Sequence, residues 1–260
     1  MTFSMWSLGH YLFMLSPFIL IVLLTYFTKN NTMDKNRTIG IGLSVFAIVV
    51  LLLRNIEIWV SRDFAFNIEL IPLQICHFAN FVLLIAFITK KQIWFNFALT
   101  LNVPAAFVSI LFANSLTNYP TIVSLRGFAY IVGHALLVFI PIWAYRVGFI
   151  QLNIKTLLKT FKIVALLYVL SIFINNLMYA LSGYYANYFY TLKPESGTPL
   201  ELFFNWGQEV VVFESFKFNP LYLILTGLFG LLVMILVYTG FYIHQHNIRL
   251  TTFIKKASQS

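Results

Sequence analysis

Charge is what this chain has least of. Asp, Glu, Lys and Arg make up only 10% of its 260 residues, and the acidic ones number 8. Soluble domains carry about a quarter charged residues, so a water-soluble fold is excluded. The single cysteine, Cys76, excludes a disulfide within the chain and leaves cysteine usage silent about redox compartment. Missing too are a Walker loop, a GxGxxG turn and a GxSxG elbow, so neither nucleotide-driven transport nor the α/β-hydrolase arrangement has support. One cysteine among scattered histidines offers no metal-ligand spacing. Neither a metal nor another cofactor is expected.

What is abundant is hydrocarbon. The chain is 60% hydrophobic, with a mean hydropathy of +0.84. A helix crossing a hydrocarbon core of about 30 Å needs about 20 apolar residues, and seven windows qualify: 8–28, 38–60, 69–89, 92–113, 122–146, 155–180 and 220–243. The expected fold is all-α, one polytopic bundle of seven transmembrane helices spanning 1–260. The opening "MTFSMWSLGH" has no basic n-region, and the apolar run behind it is too long for a signal-peptide h-region. The first span is therefore expected to remain.

Basic residues in alternate connections fix the expected orientation. One side collects Lys29, Lys35, Arg37, Lys90, Lys91, Arg146, Lys155, Lys159, Lys162, Arg249, Lys255 and Lys256 against Asp34 alone. The other holds Arg62, Arg126, Lys193 and Lys217 against Asp63, Glu69, Glu195, Glu201, Glu209 and Glu214. The N-terminus is expected outside and the C-terminus in the cytoplasm, in the plasma membrane. The excess of Lys and Arg thus serves topology, and membrane lipids rather than nucleic acid are the expected partners. The connection 181–219, extracellular on this reading, is long and dense in aromatics, as suits a lid or an interfacial belt.

Polar residues inside such spans are costly and need a reason. The stretch "IPLQICHFANF", 71–81, places Gln74, Cys76, His77 and Asn80 roughly 8 to 17 Å below the outer end of the third span. At 100° per residue these share one side of a helix with Leu73, while Ile71, Ile75, Phe78 and Val82 fall on an arc suited to lipid. Tyr130 and His134 share a face of the fifth span, and Asn175 lies in a polar stripe of the sixth, beside Asn176. Arg54 and Glu57, spaced i,i+3 in the second span, read as a mutually neutralising pair. On the fourth span Asn102, Ala106, Ser109 and Ala113 read as a close-packing stripe, with Pro104 a kink.

One thiol and two imidazoles at similar depth fit a nucleophile activated by a general base, with amide side chains as oxyanion donors. That describes acyl transfer or ester cleavage: Cys76 as nucleophile, His134 as base, and Gln74, His77, Asn80 and Asn175 as supporting donors. The alternative is a binding or transport component holding a polar solute through Arg54, Glu57 and the asparagines.

"IPLQIC" (71–76), "VGHALLVFIPIWA" (132–144) and "NYFYTLKPESGTPLELF" (187–203) stand in the order and spacing of the motifs of the bacterial YwaF-type integral membrane proteins. Over about residues 40 to 245 the chain resembles that family, which looks related to eukaryotic transmembrane acyltransferases that use a Cys to esterify lysophospholipids. More distantly it resembles membrane hydrolases of fatty-acid esters. The resemblance implies a lipid or acyl-donor substrate, makes Cys76 and His134 the family cysteine and histidine, and carries Asn187, Tyr188, Lys193 and Pro194 as the loop motif. Gln74 departs from it, standing where the family usually has a His, and His77 follows the Cys instead.

Overall fold

In a computed structural model, residues 3–65, 67–119, 121–184, 186–212 and 216–257 are described. Glu214 lies outside them, as do the side chains of Glu69, Arg249, Lys255 and Lys256. The elements in order are α1 (Leu8–Thr28), α2 (Met33–Val60), α3 (Ile75–Thr89), α4 (Gln92–Phe97), α5 (Val103–Leu111), α6 (Leu125–Arg146), α7 (Ile154–Ser182), α8 (Leu200–Trp206), strands β1 (Val210–Val212) and β2 (Phe216–Phe218), and α9 (Pro220–Ala257).

Four of the long helices begin where a short polar side chain can take a free backbone N–H. Ser7, Thr32, Ser124 and Asn153 do this for α1, α2, α6 and α7. The centre of the bundle is α6, which packs on α1, α2 and α5 and is buried continuously from Ala135 to Pro141. Its Trp143 indole donates to Thr28 Oγ1 of α1 at 2.9 Å. At the same end Gly40 of α2 lies under the Phe87 ring of α3, where any Cβ would collide with that ring. Arg37 then donates to the carbonyls of Phe87 and Ile88 at 2.9 and 3.0 Å, closing the end of α3.

Among the described residues six helices are long and apolar enough to cross a membrane: α1, α2, the 92–111 segment, α6, α7 and 220–247 of α9. The third expected span differs. Its helix covers 15 residues from Ile75, and 71–74 is non-helical. Pro72 accounts for this, because the residue before a proline is steered away from helical geometry and Pro has no N–H to give. The arc expected to face lipid there is covered: Val82 is fully buried, and Ile71, Ile75 and Phe78 pack against buried neighbours.

The 92–113 span is interrupted where the kink was expected. A π turn at Ala98–Asn102 joins α4 to α5, and Pro104 sits in the first turn of α5, where its missing N–H is harmless. Asn102, Ala106 and Ala113 are buried as a packing stripe should be. Ser109 is not part of that seam but faces a cavity. The long connection is folded: α8 and a hairpin pairing Val210 with Phe218 and Val212 with Phe216.

Candidate active site

A cavity of about 1150 Å³ lies among α2, α3, α5, α6, α7, α9 and the 187–200 segment. Its polar end gathers Arg54, Gln74, Cys76, His77, Tyr130 and His134, six of the residues singled out in the sequence, and Asn80, Asn187 and Lys193 also line it. The rest is apolar. From Leu223 to Met234 the α9 wall runs for about 16 Å at the helical rise. Val169 of α7 and Ile224 and Leu228 of α9 line the cavity and stay exposed.

Cys76 is the second residue of α3, not a mid-span residue. Gln74 caps that helix without a side-chain hydrogen bond, and the first helical bond runs from the N–H of Phe78 to the carbonyl of Gln74. The backbone donors of Ile75, Cys76 and His77 are thus left without a carbonyl inside the helix, at the end where the helix dipole favours negative charge. Beside the sulfur stands the Ser109 hydroxyl.

His134 is held in one tautomer. Its Nδ1–H donates to the carbonyl of Tyr130 at 2.7 Å, which leaves Nε2 as the ring's acceptor. His77 and Arg54 are both within electrostatic reach of His134. His77 Nδ1 is buried and has no hydrogen-bond partner among the described residues.

Other expected site residues do different work. Glu57 does not turn to Arg54: its carboxylate accepts the backbone N–H of Arg126 at 3.0 Å and pairs with that guanidinium at 3.9 Å. The acid therefore caps the start of α6 across the helix interface, where negative charge is stabilising. Asn80 serves its own helix, donating to the carbonyls of Cys76 and His77 at 3.1 and 3.4 Å.

Asn175 and Asn176 stand behind the cavity and do not line it. Asn175 accepts the Tyr188 N–H at 2.9 Å and donates to the Tyr188 carbonyl at 3.0 Å and to Thr191 Oγ1 at 2.8 Å. Asn176 holds Lys217 of β2 in the same two-handed way, at 2.7 and 3.0 Å. Asn187 brackets Leu192 and Lys193 through their backbone. Tyr188 is fully buried, its hydroxyl donating to the Ile68 carbonyl at 3.2 Å.

A family model described as the TMEM164 family matches residues 3–248. The chain belongs to the TMEM164 family. It is an integral, multi-pass membrane protein. No curated protein matches it, and no solved structure does.

In this TMEM164-family chain the latches of 187–191 force an unusual backbone. Phe189 and Tyr190 both adopt positive φ, 55° and 53°, although neither is glycine. Bulky residues rarely do so, and each costs on the order of 1–3 kcal/mol. The result is that both side chains enter the cavity wall. Glu195 follows them, and burial raises its carboxyl above the ordinary range while Lys193 pulls the other way.

Sequence reasoning missed Tyr190, Glu195 and Ser109 as site residues. Glu195 lies inside the quoted loop motif, and its place between Pro194 and the turn at Gly197 was the one available signal. Among the described residues no group of three or more His, Cys, Asp or Glu converges to hold a metal ion.

Proposed function

We propose that the chain is a membrane enzyme that moves an acyl group through Cys76, transferring it to a lipid hydroxyl or releasing it to water. The observation that carries this reading is the placement of Cys76 at an uncapped helix start, in one cavity with His134 and a fatty-chain-sized apolar wall. The resemblance of its three motifs to YwaF-type proteins and cysteine-dependent phospholipid acyltransferases supports the same chemistry.

His134 Nε2 takes the thiol proton as the sulfur attacks the carbonyl carbon of a lipid ester, whose oxygen becomes an oxyanion. That oxyanion sits against the first-turn N–H groups of α3 and the amide of Gln74. Collapse expels the donor's alkoxide, which recovers the proton from His134. The acyl thioester on Cys76 is then attacked by an acceptor hydroxyl, His134 again taking and returning one proton, and the free thiol is regenerated.

The test uses purified protein in lipid nanodiscs, a fluorescent diacyl phospholipid as donor and a lysophospholipid as acceptor. The expected result is acyl exchange together with a hydroxylamine-sensitive acyl adduct on the Cys76 peptide, both lost in Cys76→Ala. Full exchange in Cys76→Ala overturns the reading and leaves the cavity as a binding site.

Orientation belongs to the proposal: N-terminus outside, C-terminus in the cytoplasm, in the plasma membrane, with the site under the external 181–219 connection. In a Cys76→Ala background, a cysteine at Ser196 should react with a membrane-impermeant maleimide on intact cells, and one at Thr156 should not. The reverse pattern would invert the topology.

A further inference from the structure

We infer that Tyr190 is a catalytic residue, a second side-chain donor beside Gln74, whose hydroxyl meets the oxyanion formed at the acyl group on Cys76. The inference rests on the acyl-transfer reading above and names a part of the site that no sequence motif assigns. It begins from the backbone. Two consecutive non-glycine residues at positive φ are held in place from three directions. Asn175 of α7 grips Tyr188 on both its N–H and its carbonyl. Tyr188 reaches across to the carbonyl of Ile68. Tyr222 of α9 donates to the Tyr190 carbonyl at 2.7 Å. Such over-determination of a strained turn needs a use for what the turn presents.

What it presents is a phenol in the cavity that Cys76 also lines. Cys76, Glu195 and Tyr130 all lie within electrostatic reach of the Tyr190 ring. Three neighbouring tyrosine hydroxyls are committed to backbone carbonyls: Tyr130 to Ser109 at 2.8 Å, Tyr168 to Leu223 at 3.0 Å, and Tyr222 to Tyr190 itself. Among the described residues no protein acceptor takes the Tyr190 hydroxyl, which lines the cavity. Burial holds that phenol well above its ordinary range, so it stays protonated and keeps its O–H available as a hydrogen-bond donor. A neutral donor, fixed in advance and shielded from bulk water, is what stabilises an oxyanion.

A hydrogen bond to an oxyanion is distinguishable from a role in shaping the site, because alkylation of a thiol forms no oxyanion. Tyr190→Phe keeps the ring and removes the oxygen. The expected result is a fall in acyl-exchange kcat of about 100- to 1000-fold, with KM and the rate of Cys76 alkylation by an iodoacetamide lipid analogue unchanged. A parallel loss of alkylation would make Tyr190 a positioning residue and overturn the inference, as would unchanged kcat. If Tyr190→Phe fails to fold, a fluorotyrosine at position 190, a stronger donor of nearly the same shape, should retain or raise kcat, and a fall there overturns it. Cys76→Ala run alongside separates the two layers. Its activity must vanish for the acyl-transfer reading to hold, whereas Tyr190→Phe alone decides the donor.

Discussion

His134→Ala is expected to lower acyl exchange by about 100- to 10,000-fold, the range general acid–base catalysis contributes, while leaving the protein folded. The reason lies in the geometry of one ring. With Nδ1–H given to the Tyr130 carbonyl at 2.7 Å, the imidazole has one acceptor left to face the cavity that Cys76 shares. Removing the ring takes away the proton carrier for both halves of the reaction. The Tyr130 carbonyl, one turn earlier in α6, still accepts the backbone bond of the helix, so the structural cost is small. His134→Gln should be equally inactive, because an amide can imitate the hydrogen bond but cannot carry a proton. Single-turnover acylation of Cys76, followed by mass spectrometry of its peptide, reads the step directly. Wild-type acylation in His134→Ala would assign the base elsewhere, with the unpartnered His77 the next group to examine.

The second large effect is expected from Asn175→Leu. This asparagine is fully buried and satisfies both backbone groups of Tyr188. Leucine fills the volume but strands at least one buried group, at about 1–3 kcal/mol each, and the cost falls on a segment already holding two residues at positive φ. The segment 187–191 should therefore open locally before the bundle does. Hydrogen exchange at the Tyr188 amide should accelerate by about 10- to 100-fold, the fold-change equivalent of that penalty, and activity should fall with it. Asn176→Leu is the control, since it releases Lys217 of the hairpin rather than the cavity wall. Equal protection of the Tyr188 amide in wild type and Asn175→Leu would mean the latch does not hold this segment.

Much of the polar end was legible because costly polar residues inside apolar helices stand out. Arg54, Cys76, His77, Tyr130 and His134 sit on helices that hydropathy marks out, and the structure places all five on one cavity. Partners across helices could not. Glu57 looked matched to Arg54 by spacing, yet its partner is 69 residues away, because the start of α6 offered free N–H groups that no i,i+3 rule contains. The loop contribution was hidden for another reason. Positive φ is legible where glycine marks it, as at Gly183 after α7, but "NYFY" carries no such mark. Its strain is imposed by Asn175 and Tyr222 from distant helices. Pro72 was visible, and given full weight it would have started α3 after it and placed Cys76 in a first turn.

The shortness of α3 has a consequence for the product. Fifteen residues rise about 22 Å, some 8 Å less than a hydrocarbon core of about 30 Å. Backbone without helical pairing, as at 71–74, is tolerated at such depth only where protein or water surrounds it. On the proposed topology this places Cys76 at the start of a short helix, facing the cavity that α7, α9 and the 187–200 segment also line. Under the proposed acyl transfer, a thioester formed there would face a race between a lipid hydroxyl and a water molecule. Phe189 and Tyr190, which line the same cavity, would then help set whether the proposed enzyme transfers the acyl group or hydrolyses it.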